Sequence, residues 1–161
     1  MGQADNESRA ASQRTPGPRA TVRVAVLFAP LLLPWSIQVF TARDATFLFA
    51  WGLVNTNPLS MVSLFDFLFV YTRGLPEFIL AWPLSVGCYA LALASAVIGW
   101  RTGREDCRVT VGLLVVAAIA QVRLAWGFSI QPNRTAWPLA TLTLLVVVWW
   151  GYWPGLRSMI R

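Results

Sequence analysis

The chain contains no histidine and no lysine, has only two cysteines, and carries little charge of either sign. Without histidine, its own residues supply no imidazole metal ligand and no histidine general base. Cys88 and Cys107 alone cannot form a disulfide scaffold. Charged residues make up 12% of the 161 positions, whereas a soluble domain carries about 25%. The polar shell of an ordinary soluble domain is therefore missing. All 13 basic residues are arginine, against 7 acidic ones, and the pI is near 10.7. A nucleic-acid surface needs a hydrophilic basic face. Here the arginines punctuate apolar runs, so nucleic acid is not an expected partner.

What is present is a set of long apolar stretches. Val24–Thr41, Phe78–Trp100, Val109–Phe128 and Ala136–Trp153 approach or reach the roughly 20 residues that cross a bilayer as a helix. Arg123 is the one charge inside them. The expected fold is an all-α integral membrane protein with four transmembrane helices, at about 24–41, 78–100, 109–128 and 136–153. Cytoplasmic loops collect arginine. With the N-terminus inside, Arg9, Arg14, Arg19, Arg23, Arg101, Arg104, Arg108, Arg157 and Arg161 share the inner side, leaving Arg43, Arg73 and Arg134 outside. Both termini are thus expected in the cytoplasm of a multi-pass cell-membrane protein. Residues 1–20 read as a disordered basic tail, because Gln, Asn, Ser, Arg and the Pro16-Gly17-Pro18 triplet bury too little apolar surface to fold. Residues 21–161 form the membrane domain.

Between the first two spans, Phe47–Val70 is also apolar, but Asn55-Thr56-Asn57-Pro58 interrupts it as a turn. The expectation is a short interfacial or re-entrant helical element on the outer side, with an apolar piece at 47–54 and a helix at 59–72. A fifth crossing is the main alternative. Pro30 and Pro34 predict a kink in the first span. Small residues in the second and third spans, including the Ala90–Ala94 and Ser95–Gly99 pairs, suit close helix packing.

The residues that invite a function are the outer-side charges Arg43, Asp44, Asp66, Arg73, Glu77, Arg123 and Arg134. Charge inside an apolar layer is costly and usually paired or functional. An Asp66–Arg123 or Glu77–Arg123 pair is one reading; Arg123 snorkelling to the headgroups is the other. Cys88 has no activating base and reads as a small buried residue. No metal-ligand spacing and no phosphate-binding loop occurs, so no catalytic residue, cofactor or metal is expected.

Four strings carry a family resemblance: Phe49-Ala50-Trp51-Gly52-Leu53-Val54-Asn55-Thr56-Asn57-Pro58, Asp66-Phe67-Leu68-Phe69-Val70-Tyr71-Thr72-Arg73-Gly74-Leu75-Pro76, Gly103-Arg104-Glu105-Asp106-Cys107-Arg108-Val109-Thr110 and Trp149-Trp150-Gly151-Tyr152-Trp153-Pro154. They resemble motifs of a small, uncharacterised haloarchaeal multi-pass membrane protein family, over most of residues 24–157. That family is often encoded beside the archaeosortase A gene and has no established activity, so the resemblance carries over no functional residue. It implies an accessory link to archaeosortase-dependent surface-protein processing. The basic tail lies outside it. The resulting expectation is a non-enzymatic accessory or interaction protein with the lipid bilayer, a membrane protein or a second copy as partner. A small transporter or channel-like subunit, or a membrane enzyme using outer-side carboxylates, is the alternative.

Overall fold

The computed structural model describes residues 18–40, 44–71, 74, 76–103, 105–153 and 157. The tail arginines Arg9 and Arg14, and Arg43 and Arg73 of the outer-side group, lie outside these residues. Helix α1 (Pro18–Phe28) begins on a proline and runs into a 3-10 turn at Ala29–Leu31. Pro30 and Pro34 then stop it, since neither ring donates a backbone hydrogen bond. The Trp35 indole donates to the Pro30 carbonyl at 2.7 Å, so the broken end is satisfied by a buried side chain.

From there the chain is extended. Strands β1 (Ser36–Phe40), β2 (Ala45–Leu48), β3 (Gly52–Thr56) and β4 (Leu59–Ser63) form an antiparallel meander, and β5 (Arg134–Trp137) joins β1 from the far end of the sequence. The sheet order is β4-β3-β2-β1-β5. The turn expected at Asn55–Pro58 is there, and it joins β3 to β4 around a cis Asn57-Pro58 bond. Ser63 caps a single helical turn at Leu64–Asp66, accepting from the Asp66 backbone N–H, and a wider turn at Phe67–Tyr71 follows.

Helix α2 (Ala81–Thr102), entered through a 3-10 turn at Glu77–Leu80, ends on Gly103 with a left-handed φ of 72°. Helix α3 (Cys107–Ser129) starts on Asp106, whose carboxylate accepts the Arg108 backbone N–H at 3.0 Å. So short a connection makes α2 and α3 antiparallel neighbours. Ala92, Ala96, Ala117 and Ala118 are buried in the helical core, and Ser85 Oγ donates to the Ala117 carbonyl at 2.8 Å. Gly99 is buried with them, whereas Ala90 and Ala94 face outward. Helix α4 (Leu139–Val147) follows β5 and widens into a π-type turn at Val148–Tyr152.

The all-α, four-transmembrane-helix fold is therefore corrected to a mixed α and β fold. Two helices, Glu77–Thr102 and Cys107–Ser129, are long and apolar enough to cross a membrane; Ala20–Leu31 and Leu139–Tyr152 are shorter. The span expected at Val24–Thr41 is helical only to Leu31 and becomes strand β1 from Ser36, and the one at Ala136–Trp153 gives its start to β5. The outer-side element expected between the first and second spans is mainly sheet: the helix expected at 59–72 is strand β4 over Leu59–Ser63 and helical only over Leu64–Tyr71. The physical reason is common to all three. A short, charge-free strand whose few polar residues are Ser, Thr, Gln and Asn keeps a high mean hydropathy, and hydropathy alone cannot separate it from a helix. Pro34 and the β-branched or aromatic residues at 35–40 and 45–54 decide for strand.

Two packed clusters result. Leu27, Trp35, Tyr89, Leu114, Leu144 and Tyr152 anchor the one among the four helices. In it Trp35 meets Tyr89 edge-on at 5.2 Å, and the Tyr89 hydroxyl donates to the Leu27 carbonyl. The second joins Leu48 and Leu53 of the sheet to Ala81 and Trp82 of α2 and to Ala120, Leu124 and Phe128 of α3. The sheet thus stands on the Ala81 end of α2 and the Ser129 end of α3.

Candidate functional site

The strand register sorts side chains into rows across the helix-facing side of the sheet. Ser36, Leu48, Leu53 and Val62 are directly opposed in sequence of strands, and form a largely apolar row against the helices. The next row outward is polar through Gln38, Thr46, Asn55 and Ser60, with Ala136 at its β5 end. Thr46 Oγ1 donates to Asn55 Oδ1 at 2.7 Å, and Asn55 Nδ2 donates to Ser60 Oγ at 3.1 Å. Beyond it Phe40 opposes Arg134, whose guanidinium carbon lies 4.6 Å from the Phe40 ring centroid.

These rows and the ends of α2 and α3 enclose a cleft of about 370 Å³. Its helical wall is Ile79, Trp82, Leu124 and Phe128, with Phe67 beside them. Trp82 donates its indole N–H to the Phe49 carbonyl at 3.1 Å, so the ring is held with its polar tip already satisfied. Gly127 sets the width of that wall. A Cβ there would lie 2.4 Å from the Phe78 ring, and the missing side chain lets Phe78 meet Phe128 edge-on at 5.1 Å.

Two polar groups of the cleft keep free hydrogen-bonding capacity among the described residues. Gln38 is 4% exposed, and its amide forms no hydrogen bond among the described residues. Arg134 has no carboxylate within ion-pairing distance among them. An apolar floor with a few placed polar groups is the composition of a binding site.

Of the outer-side charges singled out from the sequence, Arg134 lines the cleft. Asp44 accepts from Asn57 Nδ2 at 3.1 Å, and its backbone carbonyl accepts from Phe40, so it lies at the same end of the sheet as Arg134. Asp66 instead faces Ser63, whose hydroxyl donates to it at 2.7 Å. Glu77 is exposed at the entry to α2, and Arg123 is exposed on α3 with no ion pair among the described residues. Cys88 is half-buried and Cys107 buried, both free.

A second polar group, at the opposite end of the helices, has no counterpart in the sequence reading. Glu105 Oε1 and the Tyr152 hydroxyl are both buried, and the two groups interact with each other. Burial, and then the neighbouring Glu105 carboxylate, push the Tyr152 hydroxyl above the ordinary phenol range, so it stays protonated. Arg23 lies over the Tyr152 ring at 5.9 Å, with its stem against Gly151. Glu105 packs onto Gly99, where a Cβ would lie 2.5 Å from the Glu105 Cα. The available signal was the Glu105-Asp106 pair in an arginine-rich turn: Asp106 is taken up as a helix cap, which leaves Glu105 to face inward.

A family model, Domain of unknown function (DUF8050), matches residues 3–161, nearly the whole chain. The chain belongs to the DUF8050 family. The match takes in the helices, the sheet and the cleft between them. No curated protein and no solved structure matches this DUF8050 chain.

Proposed function

We propose that this DUF8050 chain is a non-enzymatic accessory protein of the cell membrane, in which α2 and α3 cross the bilayer and the sheet stands on the outer side as a binding element. The observation that carries the reading is the outward face of the helices. Leu84, Leu91 and Ile98 on α2, Val116, Ile119 and Trp126 on α3, and Leu142, Val146 and Trp149 on α4 are large, apolar and exposed. Soluble monomers rarely leave contiguous apolar patches beyond a few hundred Å² open to water, and lipid is the solvent that suits such a face. Arg101 and Arg108 flank the α2–α3 turn, which the positive-inside bias assigns to the cytoplasm. The sheet is then outside. The carboxylates Asp44 and Asp66 are engaged by Asn57 and Ser63, which favours binding over hydrolysis.

Alkaline carbonate extraction of native membranes is the first test, and the chain should remain in the pellet. Membrane-impermeant maleimide should then label an Asn57→Cys variant on intact cells, since Asn57 is exposed at the β3–β4 turn. Release by carbonate, or labelling only after lysis, would sink the reading. The accessory link to archaeosortase-dependent processing is supported by the resemblance alone. Surface proteins that mature normally in a deletion strain would remove it.

A further inference from the structure

The cleft beneath the sheet has three layers with different chemistry, and each constrains an occupant. Its floor of Trp82, Leu124 and Phe128 is apolar and offers no donor to a polar group. Its middle is the polar rung, in which Thr46, Asn55 and Ser60 satisfy one another. The Gln38 amide, which lines the cleft and has no hydrogen bond among the described residues, is left over at that level. That amide opens into the cleft with its donors and acceptor unspent, so it is the place where an occupant can hydrogen-bond. At the outer edge stands Arg134, a guanidinium held over the Phe40 ring at 4.6 Å. A guanidinium forks onto carboxylate or phosphate oxygens in a way that no other side chain does. Asp44, at the same end of the sheet, is turned to Asn57.

From this layering we infer that the cleft is a binding site for an anionic amphiphile. The apolar tail lies against Trp82, Leu124 and Phe128, a polar linkage meets Gln38, and a carboxylate or phosphate head is held by Arg134. The inference rests on reading the sheet as a binding element of a membrane protein. The volume of about 370 Å³ falls at the small end of ligand pockets, about 300–1,000 Å³. It admits one chain segment and its head, not a whole two-chain lipid. The cleft is partly open, so the rest of a longer molecule extends out of it.

The test uses the full chain in phosphatidylcholine nanodiscs with spin-labelled stearate, its methyl ester and a spin-labelled alkyl phosphate. The immobilised fraction in the electron paramagnetic resonance spectrum is the readout, with empty nanodiscs as the baseline. Stearate, the alkyl phosphate or both should be immobilised saturably at one per chain, and the ester should not. Immobilisation of one acid alone identifies the head, carboxylate or phosphate, and still supports the inference. Arg134→Gln should weaken binding tenfold or more, and Gln38→Leu several-fold, with near-ultraviolet circular dichroism unchanged. Arg134→Glu should transfer the preference to a spin-labelled alkylammonium, a gain that misfolding cannot produce. Equal immobilisation of ester and acid would overturn the inference, as would an Arg134→Gln variant that binds stearate like the parent. Full displacement by millimolar inorganic phosphate would also overturn it, because the tail would then be dispensable. Carbonate release of the chain defeats the membrane reading alone. Retention in the pellet with no saturable binding defeats this inference alone.

Discussion

At the scale of single residues, the interior holds polar atoms that the fold does not satisfy. Gln121 is fully buried in α3, and neither its amide nitrogen nor its oxygen has a hydrogen-bond partner among the described residues. An unmet buried amide costs about 1–3 kcal/mol, and this cost recurs in every folded copy. Gln121→Met keeps the shape of the side chain and removes the amide, so it should raise Tm by a few degrees in thermal unfolding of the solubilised protein. A fall in Tm would mean that the amide has a partner in the working protein, such as an ordered water or a bound group. Trp35 is the opposite case. Its indole N–H closes the carbonyl that Pro30 leaves exposed, at 2.7 Å, and its ring packs on Tyr89. Trp35→Phe keeps much of the apolar contact but orphans that carbonyl. It should destabilise by about 1–3 kcal/mol, read as a lowered denaturant midpoint.

At the scale of elements, the sequence and the structure agree where one period dominates and part where two structures share one hydropathy. Helices α2 and α3 were visible as uninterrupted apolar runs because both their buried and their outward faces are apolar. The same property hid the sheet. In β1, Ile37 and Val39 point away from the helices while Ser36 and Gln38 point toward them, so the usual rule of apolar inside and polar outside is reversed. Read as a helix, Ser36 and Gln38 are two polar residues in a span; read in register, Gln38 begins the polar rung. That rung draws on Gln38, Thr46, Asn55 and Ser60, residues far apart in the chain that no local pattern aligns. Arg134 was legible as an outer-side charge, but not its cleft, because β5 joins β1 only through the tertiary fold. Glycine positions offer a direct check of this sheet. A Cβ at Gly52 would lie 2.4 Å from the Val62 carbonyl oxygen across the β3–β4 pair. That atom belongs to the backbone and cannot swing aside, so Gly52→Ala should cost about 1–3 kcal/mol. Gly87→Ala, where nothing lies within 4 Å of the added Cβ, should leave stability unchanged or slightly higher. The pair of measurements compares a strand contact with an open helical site in one molecule.

At the scale of the whole molecule, the two polar groups occupy opposite ends of α2 and α3. The Arg134 cleft is at the sheet end, and Glu105, Tyr152 and Arg23 gather at the α2–α3 turn. The second group ties together four elements of the helical part: Arg23 belongs to α1, Gly99 to α2, Glu105 to the turn, and Tyr152 to the π-type turn after α4. Its geometry leaves no slack, since Glu105 sits where a side chain at position 99 would go. Gly99→Ala therefore pushes the turn away from α2, and with it the carboxylate away from Tyr152. The expected result is a loss of about 1–3 kcal/mol, the range for overpacked sites. Amide hydrogen exchange should localise the loss to the α2–α3 turn and the end of the last helix. The cleft is built from the opposite ends of the same helices. If the bundle is rigid, as close packing through Ala92, Ala96, Ala117 and Ala118 implies, exchange at β1, β3 and β5 should not change. Exchange that rises together at the turn and in the sheet would instead show that the two ends are coupled through α2 and α3. In that case a change at Glu105 should also alter the affinity of the cleft, which the spin-label titration of the Gly99→Ala variant would read directly.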